Sequence, residues 1–128
     1  MTARVIRLME LEPRFILTQV SDDHDYQPAS NIDTAQGLEF RCPKCYAGSG
    51  YNVEGVHHIV LWFDYRVSPV MYKARWAICG ASEGNPSLGI PPRRAPTGLD
   101  DLTLDPSIRA APCAWHGFIR DGAIEEAG

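Results

Sequence analysis

No apolar run in this 128-residue chain exceeds Ile59-Val60-Leu61-Trp62-Phe63, far short of the ~20 residues that a bilayer-spanning helix requires. Positive charge is in deficit. Twelve Lys and Arg stand against 16 Asp and Glu, a net charge of −4, so no global electrostatic case exists for nucleic acid or an anionic membrane. The opening Met-Thr-Ala-Arg-Val-Ile-Arg-Leu reaches Glu10 and Glu12 before any long apolar stretch, which predicts no signal peptide and a cytoplasmic protein. Two zinc-enzyme signatures are missing. There is no His-Glu-x-x-His, and no His-x-Glu precedes a Pro-Cys-x-x-Cys, because the proline here lies inside the pair Cys42-Pro43-Lys44-Cys45. Zincin and nucleoside-deaminase chemistry are thereby left without their parts.

Glycine and proline are well supplied, at 11 and 10, a composition that favours short strands and many turns over long helices. The chain has the size of one domain, 1–128, near the limit where small folds recruit a staple. The expected fold is mainly β: six to eight short antiparallel strands with little helix. Pro13 interrupts any earlier helix, and Phe15-Ile16-Leu17 continues as a strand. Residues 21–36 read as a polar surface loop around Asp22-Asp23-His24-Asp25, with a short helix near 31–35. Gly37-Leu38-Glu39-Phe40-Arg41 alternates and enters Cys42 as a strand. The β-branched and aromatic run from His57 to Phe63 is the best candidate for a central strand. Arg75-Trp76-Ala77-Ile78-Cys79 and Leu102-Thr103-Leu104 read as shorter strands, and Asp121-Gly122 as the type I′ turn of a C-terminal hairpin. Residues 80–98, with Pro91-Pro92-Arg93-Arg94, predict an extended, exposed loop.

The chemistry resides in the cysteines. Four of them would permit two disulfides in an oxidising compartment, but a reducing cytosol leaves thiolates free for metal. Cys42 and Cys45 are two residues apart, and Cys113-Ala114-Trp115-His116 repeats that spacing. Two such half-sites predict a structural Cys₃His zinc centre at Cys42, Cys45, Cys113 and His116. Cys45 and Cys113 are 68 positions apart, so the ion would close a long loop. A thioredoxin-like role for the Cys42/Cys45 pair lacks its βαβ context. Cys79 reads as a structural thiol. The adjacent His57 and His58 would point to opposite faces of a strand, one core-facing and the other exposed. Trp62, Trp76 and Trp115 are expected to pack the core and shield the sulfurs. No catalytic residue and no organic cofactor site is predicted.

Four motifs together carry a resemblance: Leu11-Glu12-Pro13-Arg14-Phe15-Ile16, Phe40-Arg41-Cys42-Pro43-Lys44-Cys45, Asp100-Asp101-Leu102-Thr103-Leu104-Asp105-Pro106-Ser107-Ile108 and Trp115-His116-Gly117-Phe118-Ile119. In their order and spacing the chain resembles the small CPxC…WHGF zinc-binding proteins of tailed phages and bacteria. Some members carry an ammonia monooxygenase label, for which this chain has no copper-type histidine cluster. The resemblance implies a phage or mobile-element origin, a bacterial cytoplasm, and zinc at Cys42, Cys45, Cys113 and His116. Some relatives lie near bacterial ubiquitin-like conjugation genes, which implies a protein partner. The segment between Trp76 and Thr97 departs from the family pattern. The function expected is a non-enzymatic zinc-binding accessory module. Its alternatives are a zinc-dependent hydrolase with an open metal site and a nucleic-acid-binding zinc ribbon using Lys44, Arg93 and Arg94.

Overall fold

A computed structural model describes residues 4–18, 26–110 and 113–127; the Asp22–Asp25 cluster lies outside them. The chain forms a small, mainly β domain, with ten strands in three antiparallel sheets among the described residues. In chain order the strands are β1 (Ile6–Arg7), β2 (Arg14–Leu17), β3 (Gln27–Pro28), β4 (Gly37–Arg41), β5 (His58–Trp62), β6 (Ala77–Ile78), β7 (Leu104–Asp105), β8 (Ile108–Ala110), β9 (Trp115–Arg120) and β10 (Ala123–Glu126). One α-helix, α1 (Pro43–Gly48), follows β4, and 3₁₀ turns occupy Leu8–Leu11 and Pro86–Leu88. The sheet orders are β3-β2-β4-β5, β1-β10-β9-β8 and β6-β7. Among the described residues no helix is long and apolar enough to cross a membrane.

Strand alternation explains the core. In the β3-β2-β4-β5 sheet the register pairs Phe15 with Leu38, Leu38 with Leu61 and Phe40 with Ile59. Opposite residues share a face, so these five side chains form one apolar surface. In the second large sheet Ile6 pairs with Ile124 and Ile124 with Ile119, which makes the complementary surface. Phe40 meets Trp115 edge-on, ring centroids 6.3 Å apart, and joins the two sheets.

Several expectations are met and several corrected. β2, β4 and the β9–β10 hairpin form where the alternation placed them. Asp121 and Gly122 both take positive φ, 50° and 72°, as a type I′ turn demands. A side chain at Gly122 would also collide with the Asp100 carbonyl. The run from His57 to Phe63 is not central: β2 and β4 are the inner strands and β5 lies at the edge of the sheet. The short helix expected near 31–35 is a turn, stapled by Asn31 Oδ1 accepting from the amides of Asp33 and Thr34 at 3.0 and 3.1 Å.

Because β4 is covered on both faces, its polar residue must be satisfied internally. Glu39 is buried and receives Arg14 Nε at 2.6 Å and the Tyr26 hydroxyl, with His58 Nδ1 at 3.2 Å. Burial opposes its charge. The bonds from Tyr26 and Arg14, with the charge of His58, outweigh that and hold the carboxyl below its ordinary range. A carboxyl depressed in the folded state stabilises above its unfolded pKa, about 4.3, and that contribution is lost as pH falls through the folded value. Thermal melts between neutral and acid pH should therefore fall more steeply for wild type than for Glu39→Gln. Parallel curves would show that this carboxylate does not govern the acid limb.

Residues 80–98 are exposed, as expected, but not a featureless loop. Ser82 and Arg93 exchange backbone hydrogen bonds of 2.7 Å in both directions, and Asn85 and Ile90 exchange bonds of 2.8 and 2.9 Å. Gly84 has φ +73°, and a Cβ there would strike the Pro91 backbone. The segment is a braced arm that buries almost nothing. Replacing residues 83–94 with a short Gly-Ser bridge should change stability by no more than about 0.5 kcal/mol. A large fall in melting temperature would show that the arm packs on the core.

Candidate metal centre

Three segments deliver the cysteines and a histidine to one point. β4 ends at Arg41, and Cys42 becomes the N-cap of α1 with Pro43 at its first position, where a proline fits without loss. The expected tight knuckle turn is thus the first turn of a helix. Residues three apart on a helix lie on one face, and this brings Cys42 and Cys45 together. The pairing of Arg41 with His58 puts His57 opposite Cys42, and the Cys42 amide donates to the His57 carbonyl at 3.0 Å. Cys113 arrives immediately before β9, its carbonyl held by Lys44 Nζ at 2.9 Å.

The thiols of Cys42, Cys45 and Cys113 and a ring nitrogen of His57 all lie within 4.8 Å of one another. Cys113 Sγ is 2.8 Å from Cys45 Sγ and 2.8 Å from His57 Nε2. Cys42 is buried, while the other three are partly so. The Cys45 thiol is pushed up to about 12, first by its hydrogen bond to Cys113, then by burial and by Cys42. Crowded thiols keep their protons, and a cation among them reverses that preference. The donor set contains no carboxylate. Three sulfurs and one imidazole suit a soft or borderline ion rather than magnesium or calcium.

The structure places His116 elsewhere. It lies in β9 rather than in a turn, its Nε2 3.0 Å from Ser107 Oγ. Ala114 sits in a turn at φ 57° and β9 starts at Trp115, so the Cys113-x-x-His116 spacing does not converge as Cys42-x-x-Cys45 does on a helix. In sequence His57 is only one of two adjacent strand histidines. The signal that identifies it is non-local: the β4–β5 register alone shows that His57 faces Cys42. His58 is exposed and pairs with Glu39.

Other thiol and charged side chains lie outside the cluster. Cys79 is half-buried, free and outside the cluster. Asp101 accepts the amides of Thr97 and Gly98 at 2.9 Å each, and those bonds hold its carboxyl below the usual range. Lys44 is committed to the Cys113 carbonyl and one Arg93 nitrogen to the Gly80 carbonyl. Trp115 is buried, and among the described residues its Nε1 has no hydrogen-bond partner. No protein-family model, curated protein or solved structure matches the chain.

Proposed function

We propose that the chain is a zinc-stabilised, non-enzymatic interaction module of phage or mobile-element type, its ion held by Cys42, Cys45, His57 and Cys113. The observation that carries the reading is the convergence of four neutralisable soft donors from three separated segments. Zinc is the common ion for such a set and takes four ligands tetrahedrally. Four protein ligands fill that shell and leave no position for a reactive water. Three thiolates also weaken a dication as a Lewis acid. Among the described residues no carboxylate joins the cluster to act as a base, which favours a staple over a hydrolase. The motif resemblance supports a phage or mobile-element setting and a protein partner.

X-ray absorption on purified protein should show three sulfurs and one nitrogen and no oxygen around zinc. Assays with peptide, ester, phosphoester and isopeptide substrates should stay at background. An oxygen ligand together with turnover lost in Cys113→Ser would replace this reading with the hydrolase.

A further inference from the structure

We propose that the cleft between the braced arm and the β9–β10 hairpin is a binding groove for an extended acidic peptide segment of a partner protein. This rests on the interaction-module reading and names the partner's chemistry. The cleft is open, about 940 Å³, with a wall of Ile90, Pro91 and Pro92 and the guanidiniums of Arg93, Arg94 and Arg120. Its lining carries these three cations against two carboxylates, Asp121 and Glu125, on a chain whose net charge is −4.

Two of the three arginines are already held in place. Arg93 is anchored by its 3.1 Å bond to the Gly80 carbonyl, which leaves its other side-chain nitrogens without a partner among the described residues. Arg120 lies over the Phe118 ring at 4.2 Å and reaches Glu125 at 3.2 Å. Arg94, between them in role, has no hydrogen-bond or ion-pair partner among the described residues. A guanidinium fork pairs with a carboxylate through two parallel bonds, and fixed geometry lowers the ordering cost of binding.

The wall decides the ligand class. Two consecutive prolines present no amide hydrogens, so they offer a stiff apolar surface rather than an anion-binding nest of N–H groups. Asp121 and Glu125 on the facing side would repel a phosphodiester strand, which carries charge at every nucleotide. A peptide can place carboxylates against Arg93 and Arg94, keep apolar residues against Ile90 and Pro91, and avoid the acidic side. The bracing fits this role: backbone bonds fix an arm that contributes nothing to the core, so the rigidity serves the cleft.

The test uses metal-loaded full-length protein and a phage-displayed library of random peptides about a dozen residues long. Wild type should enrich sequences that mix Asp or Glu with apolar residues. Fluorescence anisotropy with an enriched peptide should show affinity falling about tenfold or more in Arg94→Glu and on raising salt. The melting temperature and zinc content of that variant should equal wild type. Since metal content and melting are read on the same samples, failure of the zinc reading is distinguishable from failure of the cleft. The proposal is overturned if the library enriches nothing, if it enriches sequences without acidic bias, or if Arg94→Glu binds as wild type. Displacement of the peptide by poly(U) with the same Arg94 dependence would assign the cleft to nucleic acid instead. Binding lost only with concentration-dependent self-association would assign it to a second copy.

Discussion

Cys113→Ser is expected to leave a chain without a cooperative melting transition, and Cys42→Ser or a strong chelator should do the same. Structural zinc supplies roughly 10–16 kcal/mol of apparent folding free energy, as much as the whole stability of an ordinary domain, about 5–15 kcal/mol. Cys113 joins the centre from 68 positions beyond Cys45, so its loss reopens a long loop. The bond from Lys44 to the Cys113 carbonyl is a single exposed contact and does not replace that closure. Three thiols without a cation also form a poor staple, since the Cys45 thiol holds its proton to about 12. Circular dichroism on heating, with and without chelator, checks the expectation. Wild-type melting in all three samples would sink it.

Phe40→Ala should cost about 3–5 kcal/mol, a fall in melting temperature of about ten degrees or more for a chain of this length. Phe40 is fully buried in the inner strand β4 and makes the edge-on contact with Trp115. Trp115 begins the strand that follows Cys113, so the lost ring would leave a cavity where the two sheets meet, beside the metal centre. The four proposed metal ligands themselves are untouched. The variant should therefore retain metal while losing stability, unlike the cysteine variants. Loss of zinc together with stability would show that the packing, rather than the ligands, holds the site together.

The parts legible in the sequence were those set by local rules. Gly37-Leu38-Glu39-Phe40-Arg41 alternates with period two because only one face meets Phe15 and Leu61, and the Asp121-Gly122 turn is fixed by its positive φ values. Cys42 and Cys45 announced themselves by spacing, since a helical turn converges residues three apart. At Cys113 and His116 the same spacing meets a turn with Ala114 at φ 57° and then β9, so it does not make a helical turn. His57 was hidden because its role depends on a register of pairing, not on any neighbour in sequence. The pairing of β1 with β10 joins Ile6 to Ile124 across nearly the whole chain, and a two-residue strand carries no periodicity to betray it. The bracing of the arm was concealed for a similar reason: Ser82 and Arg93 look like loop residues until their amides are seen to exchange bonds.

Metal content per chain in His57→Ala and His116→Ala, measured by elemental analysis beside wild type, tests the central claim most directly. The four-donor centre predicts one zinc in wild type, one in His116→Ala, and weakened or absent zinc in His57→Ala, because among the described residues His57 is the histidine that shares the site with the three cysteines. Zinc retained by His57→Ala and lost from His116→Ala, or no metal in wild type, would contradict it.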